Sequence, residues 1–267
     1  MRKASPPLQT FDLAGLLPEL RESIYAHAER EAPRECCGLL VREPAREAIV
    51  YLPAQNLYTQ AGCDRFSLDP VTYAQAEEIG EILAVVHSHP NASANPSMAD
   101  RVGCEKSGLT WLVMGWPSGV VKAVQPEGWQ APYKGREFCH GVLDCYTLIQ
   151  DWYRRELRVE LPDYEREDGW WEGPQRQNLY IENFEAAGFA QVHGQPQRHD
   201  VILMQVRADV ANHGAVCLGD GVMLHHLHGR LSCEDVYGGY WERHTLALLR
   251  HRSRLDAAAL AALKAAA

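Results

Sequence analysis

Residues 82–100 read Ile82-Leu83-Ala84-Val85-Val86-His87-Ser88-His89-Pro90-Asn91-Ala92-Ser93-Ala94-Asn95-Pro96-Ser97-Met98-Ala99-Asp100. The apolar run from Ile82 to Val86 has the length and β-branched content of a buried strand, and it delivers two histidines at its end. In extended backbone alternate side chains point the same way, so His87 and His89 can share one ion. Ser97 is predicted to cap a helix running through Lys106, which places Ser97 and Asp100 on one face of its first turn. Two imidazoles and one carboxylate supply the three protein ligands of a catalytic zinc site whose fourth position stays open. Chemistry at that position needs a base for the proton of the attacking water. Glu35, just ahead of a predicted strand at Cys37, is the candidate, and the Ser97 hydroxyl is the candidate donor to an oxyanion.

The flanks of this stretch alternate between strand and helix patterns. A helix is predicted over 18–31, opened by Pro18 and carrying Leu20, Ile24, Tyr25 and Ala28 at helical spacing. Strands are predicted at 37–41, 48–52, 109–114 and 120–124, with a helix from Asp69-Pro70 to Ile79. From Gln125 to Gly135 the pattern lapses into Pro126, Gly128, Pro132 and Gly135, which is turn chemistry. The expected organisation is a first domain over 9–126, a linker over 127–135, a second domain over 136–250 and a basic, then alanine-rich tail over 251–267. In the second half a helix begins at Asp144, a polar segment with Trp and Gly fills 162–175, and a helix is predicted near 177–187. Strands follow at 201–206, 213–218 and 222–227. The fold class is α/β (α+β) with two domains.

Composition fits that plan. The 267 residues exceed one typical domain of about 150. With 46% apolar and 23% charged residues the chain has the balance of a folded globular protein. A net charge of -9 without an extended basic run excludes a nucleic-acid footprint. No stretch approaches the roughly 20 apolar residues of a membrane span. Met1 to Pro7 lacks the continuous apolar run of a Sec-type signal, so none is expected. The dispersed cysteines, with Cys36 and Cys37 adjacent, are read as reduced.

A second constellation lies in the other half. Cys145 follows Asp144 at a helix start, with Leu148, Ile149, Trp152 and Tyr153 continuing its inward face. A positive helix end can lower a thiol pKa from about 8.5 toward roughly 3.5 to 7.5, as in reactive cysteines. A nearby histidine would complete a nucleophile and base pair. His213 opens one predicted strand and His225 lies on the next, so adjacent strands can bring them together. His225 and His226 face opposite sides of a regular strand, so only one of them can orient His213. Cys36, Cys37, Cys63, Cys104, Cys139, Cys217 and Cys233 are assigned structural places.

Glu35, His87-x-His89, seven residues, Ser97, two residues and Asp100 together resemble the JAMM motif of JAB/MPN-domain metallopeptidases. That resemblance implies a mixed sheet with flanking helices, one zinc ion on His87, His89 and Asp100, Glu35 as base and Ser97 at the oxyanion. The second half resembles NlpC/P60 cysteine peptidases, which implies a papain-like domain with a nucleophile helix on an antiparallel sheet. The resemblance maps the nucleophile to Cys145, the base to His213 and the orienting residue to His225. Tyr146-Thr147 departs from the small Ser-Gly pair that commonly follows the nucleophile, so Tyr146 is expected to narrow the cleft or alter substrate choice.

The two domains in one chain resemble a family of tail assembly proteins of lambda-like phages. Gly135-Arg136-Glu137-Phe138 and Asp235-Val236-Tyr237-Gly238-Gly239-Tyr240-Trp241 strengthen that likeness. It implies a tail-tip protein with two hydrolytic sites, other tail-tip proteins and a ubiquitin-like tail assembly protein as partners, and peptidoglycan peptides as a substrate. It places the chain in the cytoplasm of the infected or lysogenic bacterium during assembly and in the virion tail tip. A purely structural tail-tip scaffold and a bacterial cell-wall hydrolase are the alternatives.

Overall fold

The computed structural model describes residues 18–58, 65–174 and 176–257. The chain forms two compact units that meet in sequence between Gln130 and Ala131.

The first unit is built on a five-stranded sheet with β1 Cys37–Glu43, β2 Ala48–Ala54, β3 Glu81–Pro90, β4 Thr110–Trp116 and β5 Val120–Val124, in the order β2-β1-β3-β4-β5. Only β3 and β4 are parallel, because a helix, α3 (Met98–Ser107), connects them. The period of two sorts the strand residues onto two faces. Leu40, Ala84, Val86, Leu112 and Met114 pack beneath α1 (Pro18–Glu31) through Leu20, Ile24 and Ala28. Leu39, Val41 and Val85 pack on the other face against Ala76 of α2 (Pro70–Ile79). Asp69 caps α2 by accepting the Thr72 N–H, with Pro70 in its first turn.

The second unit carries an all-antiparallel sheet of β6 Phe189–Val192, β7 Val201–Met204, β8 His213–Gly219, β9 Val222–His225, β10 Cys233–Val236 and β11 Thr245–His251. The strand order is β10-β9-β8-β7-β11-β6. Helix α4 (Cys145–Trp152) lies on one face, where Leu148, Ile149 and Trp152 join Val201, Leu203, Val216 and Leu249 in the core. A Cβ at Gly214 would come within 2.8 Å of Ile149 Cδ1, so this glycine lets α4 lie close to β8. Short helices α5 (Leu179–Asn183) and α6 (Tyr240–Arg243) complete the unit. Near its start Arg136 is fully buried, donating to the Ala131 and Pro132 carbonyls and pairing with Asp151 at 2.8 Å.

Several expectations need correction. Strand β3 runs to Pro90, so both histidines sit inside the strand, because parallel pairing with β4 carries the ladder through His89↔Gly115. Only 179–183 of the expected helix over 177–187 is α-helical. The polar segment at 162–175 is packed in part, with Arg166 and Trp170 both 8% exposed. Strands β6 and β10, four residues each, and β11 stand where no strand was expected. The seven cysteines among the described residues are free thiols. The expectations for Cys63 and for the alanine-rich tail beyond residue 257 lie outside the described residues. No described helix is long and apolar enough to cross a membrane.

Candidate metal and thiol sites

The first site is assembled by one strand and one helix cap. His87 and His89 share a face of β3, and their Nε2 atoms are 3.2 Å apart. Asp100 closes a triangle, with Oδ1 at 3.2 Å from His87 Nε2 and Oδ2 at 3.2 Å from His89 Nε2. Three ligands at the usual zinc distances of about 2.0–2.1 Å in a tetrahedron stand about 3.3 Å from one another. The donor set therefore fits a small tetrahedral cation. The three side chains converge on one buried point, where without an ion the imidazoles can donate to the carboxylate instead.

Each ligand is held from behind. The Ser93 carbonyl sits 3.0 Å from His89 Nδ1 and accepts its proton, which leaves the Nε2 lone pair for an ion. Phe66 stacks on the His87 ring at 4.8 Å and Trp111 meets it edge-on at 5.5 Å, fixing its plane. Ser97 and Asp100 form a capping box: Ser97 Oγ accepts the Asp100 N–H at 3.1 Å and Asp100 Oδ2 accepts the Ser97 N–H at 2.7 Å. The spacing of Ser97 and Asp100 thus serves a helix start as well as a ligand. Burial pushes the Asp100 pKa up, but hydrogen bonds from His87 and His89 outweigh it and hold the carboxyl far below the usual range. Glu35 is 3% exposed and its Oε1 lies 3.9 Å from His89 Nε2, beside the triangle. Its backbone is pinned by Asn56, whose Nδ2 donates to the Glu35 carbonyl at 3.0 Å.

The second site borders a cleft of about 740 Å³ lined by Cys145, His213, Tyr180, Trp171, Arg230 and Trp241, among others. Cys145 is the first residue of α4, behind the N-cap Asp144. Asp144 and Thr147 satisfy each other's backbone N–H groups at 2.9 and 2.8 Å. Thr147 thus completes the cap. Tyr146 does not narrow the cleft: it is turned inward, 8% exposed, and donates to the Pro162 carbonyl at 2.6 Å. His213 Nε2 lies 3.0 Å from His225 Nδ1, on adjacent strands paired at Ala215↔His225. His226 points elsewhere and packs edge-on to Phe138 at 5.1 Å.

The thiol itself differs from expectation. Burial, aided by the Asp144 charge, pushes the Cys145 pKa up to about 11, so the helix end does not produce a resting thiolate. Burial, with His225 and His226 adding to it, drives His213 down to about 3. At neutral pH both are uncharged. The sulfur is met by the Tyr180 hydroxyl at 3.4 Å and by the Gly214 N–H.

Two groups at this site were not found on sequence. Arg166 Nε reaches Asp144 Oδ2 at 3.2 Å, and both side chains are almost fully buried. Its guanidinium also covers the Tyr146 ring at 4.9 Å. Tyr180 arrives from α5. Neither stands near Cys145 in sequence: Arg166 lies in the polar segment over 162–175, and Tyr180 in the helix predicted near 177–187, with no local signal that it reaches the thiol.

Comparison with known proteins agrees with this division. The model of prokaryotic homologs of the JAB domain matches residues 17–131, and that of the NlpC/P60 family matches residues 131–250. "Tail tip assembly protein K" of Escherichia phage N15 is 38% identical over 231 residues, covering 86% of this chain and 93% of that protein. The protein of the same name from Escherichia phage lambda is 41% identical over 188 residues, covering 70% of this chain and 90% of that protein. Among solved structures, a protein from Desulfitobacterium hafniense is 25% identical, covers 41% of this chain and 88% of its own, and has a TM-score of 0.32, too low to bear on the fold. The chain belongs to the family of tail tip assembly protein K, with a JAB-type first half and an NlpC/P60 second half.

Proposed function

We propose that the chain is a bifunctional peptidase of a phage tail tip: a zinc-dependent (iso)peptidase in its first half, and in its second a cysteine endopeptidase cutting peptidoglycan peptides. It acts during tail assembly or penetration of the host wall, with other tail-tip proteins as its partners. The observation that carries the first activity is the convergence of two imidazole nitrogens 3.2 Å apart with a carboxylate that sets one oxygen 3.2 Å from each, a donor set that suits zinc among the ions that imidazole and carboxylate bind.

His87, His89 and Asp100 would hold the ion. A bound zinc supplies a Lewis acid that polarises the scissile carbonyl and makes water acidic enough to react near neutral pH. Glu35 takes the proton of the attacking water at Oε1 and returns it to the leaving amine. The Ser97 oxygen already accepts from Asp100 N–H, so its own O–H remains to donate to the oxyanion.

In the second half a neutral thiol and a neutral imidazole line one cleft, so attack and deprotonation go together once substrate brings them into line. His213 removes the thiol proton through Nδ1, the nitrogen not engaged by His225, as sulfur bonds to the peptide carbonyl carbon. His213 then protonates the leaving amine, and water releases the acyl group from the sulfur. His225 holds the ring of His213 through this cycle.

One set of measurements on full-length protein tests both sites. Zinc content should be about one per chain and vanish in His87→Ala. Peptide release from peptidoglycan should vanish in Cys145→Ala and survive in Glu35→Ala. Unchanged zinc in the first variant removes the metal site, and release that survives Cys145→Ala removes the thiol site.

A further inference from the structure

The segment Asp235 to Trp241, quoted above only for its likeness to tail proteins, folds back onto the orienting histidine of the thiol site. The Trp241 ring meets His225 edge-on at 4.8 Å, and its Nε1–H donates to Asp235 Oδ2 at 3.1 Å. That same oxygen lies 3.8 Å from His225 Nε2. The register of β10 against β9 explains the approach. Cys233 pairs with His225, and Asp235, two residues on, shares its side of the strand. Cys233 Sγ stands 3.6 Å from the same His225 nitrogen.

We propose that Asp235 is a positioning residue, whose carboxylate keeps a proton on His225 Nε2 and so sets the direction of the hydrogen bond between His225 and His213. The proposal rests on the reading of Cys145 and His213 as nucleophile and base.

The 3.0 Å contact between His213 Nε2 and His225 Nδ1 admits two directions, since a neutral imidazole carries one donor and one acceptor. If His213 Nε2–H donates, the lone pair of His213 sits on Nδ1 and can take the thiol proton. If His225 Nδ1–H donates, His213 carries its single proton on Nδ1 and cannot act as a base there. What faces the far nitrogen of His225 decides between them. A carboxylate only accepts, so it favours a proton on Nε2 and leaves Nδ1 as the acceptor. A thiol is a weak acceptor and a weak donor, so Cys233 gives little bias of its own.

The surroundings make Asp235 effective. The His225 side chain is 1% exposed and the Asp235 side chain 37% exposed, so solvent screens part of the carboxylate's charge while the imidazole it faces has no water to choose its tautomer. At 3.8 Å the pair interacts by charge rather than by a direct hydrogen bond. Asp235 is steadied on both oxygens, by Trp241 and by the Val236 N–H at 2.8 Å. Its charge also offsets part of the burial that lowers the pKa of His225.

The test uses full-length protein labelled with 15N-histidine, in which ring-nitrogen shifts and two-bond couplings report each tautomer. Wild type should show Nε2–H on both His225 and His213. Asp235→Ala should move His225 toward Nδ1–H, and alkylation of Cys145 by iodoacetamide, followed at its own peptide, should slow by roughly a hundredfold, the low end of what a positioned general base contributes. Asp235→Glu should restore both, and Cys233→Ala should change neither. A His225 tautomer that persists in Asp235→Ala, or that flips in Cys233→Ala instead, overturns the proposal. The tautomer is read without any substrate, so this outcome is separable from failure of the protein to digest peptidoglycan.

Discussion

The two halves solve opposite electrostatic problems. In the first, two imidazole nitrogens and a carboxylate converge on one buried point, a donor set that can hold a positive charge from outside the chain. In the second, the burial that surrounds Cys145 and His213 keeps both neutral, and each has a neutral partner within the chain, the Tyr180 hydroxyl for the thiol and His225 for the imidazole. The contrast teaches that geometry alone does not make a site self-sufficient. One site is completed by what binds it, and the other by its own network.

The largest expected effect comes from removing the ion. A site saturated a thousandfold over its Kd gains about 4 kcal/mol from its ligand, so a chelator should destabilise the first half by that order. Hydrogen exchange should then rise in β3 and α3 and stay unchanged in α4 and β8. Equal acceleration in both halves would dissolve the contrast.

Next is the loss of an internal partner. Arg166→Ala leaves Asp144 buried beside the nucleophile with its cation gone, which costs about 3 kcal/mol or more for a pair this deeply buried. Denaturant unfolding of the second half checks it, and a change below about 1 kcal/mol would show that the Asp144 backbone partners suffice.

The smallest effect is that of acid. His213 titrates at about 3 in the folded chain and near 6.5 unfolded. Between those values the unfolded state binds the extra proton, so stability is full above 6.5 and falls as the pH drops through that window. At pH 5 the loss from this group is about 2 kcal/mol, readable as a lower unfolding midpoint for the second half. His213→Gln should reduce that pH dependence and leave the share of His225 and His226, whose pKa values burial also lowers. A slope unchanged by the substitution assigns it elsewhere.

The cluster of His87, His89 and Asp100 was legible in the sequence because its parts are local. His87 and His89 lie two apart on a strand, and Ser97 and Asp100 three apart in a capping box, so periodicity alone sets their directions. Glu35 was reached through its place before a strand. The thiol site was half legible. Cys145 behind Asp144 announces a capped helix, and strand pairing brings His213 to His225. Arg166 could not be read, because its segment follows tertiary contacts rather than a repeat, and Tyr180 lay in an expected helix whose docking against Cys145 leaves no local signal. The thiol pKa was misjudged for a related reason. A helix end is visible in sequence, whereas the burial that outweighs it is not.

Arg136 has a consequence for anyone dividing the chain. Its guanidinium is fully buried and leans on the carbonyls of Ala131 and Pro132. Those two residues are the floor under a cation that has no route to solvent. A second half expressed alone from Arg136 onward would keep the cation and lose the floor, whereas one that starts at or before Ala131 keeps both. The usable cut is therefore set by one arginine's acceptors rather than by where the turn-rich sequence ends.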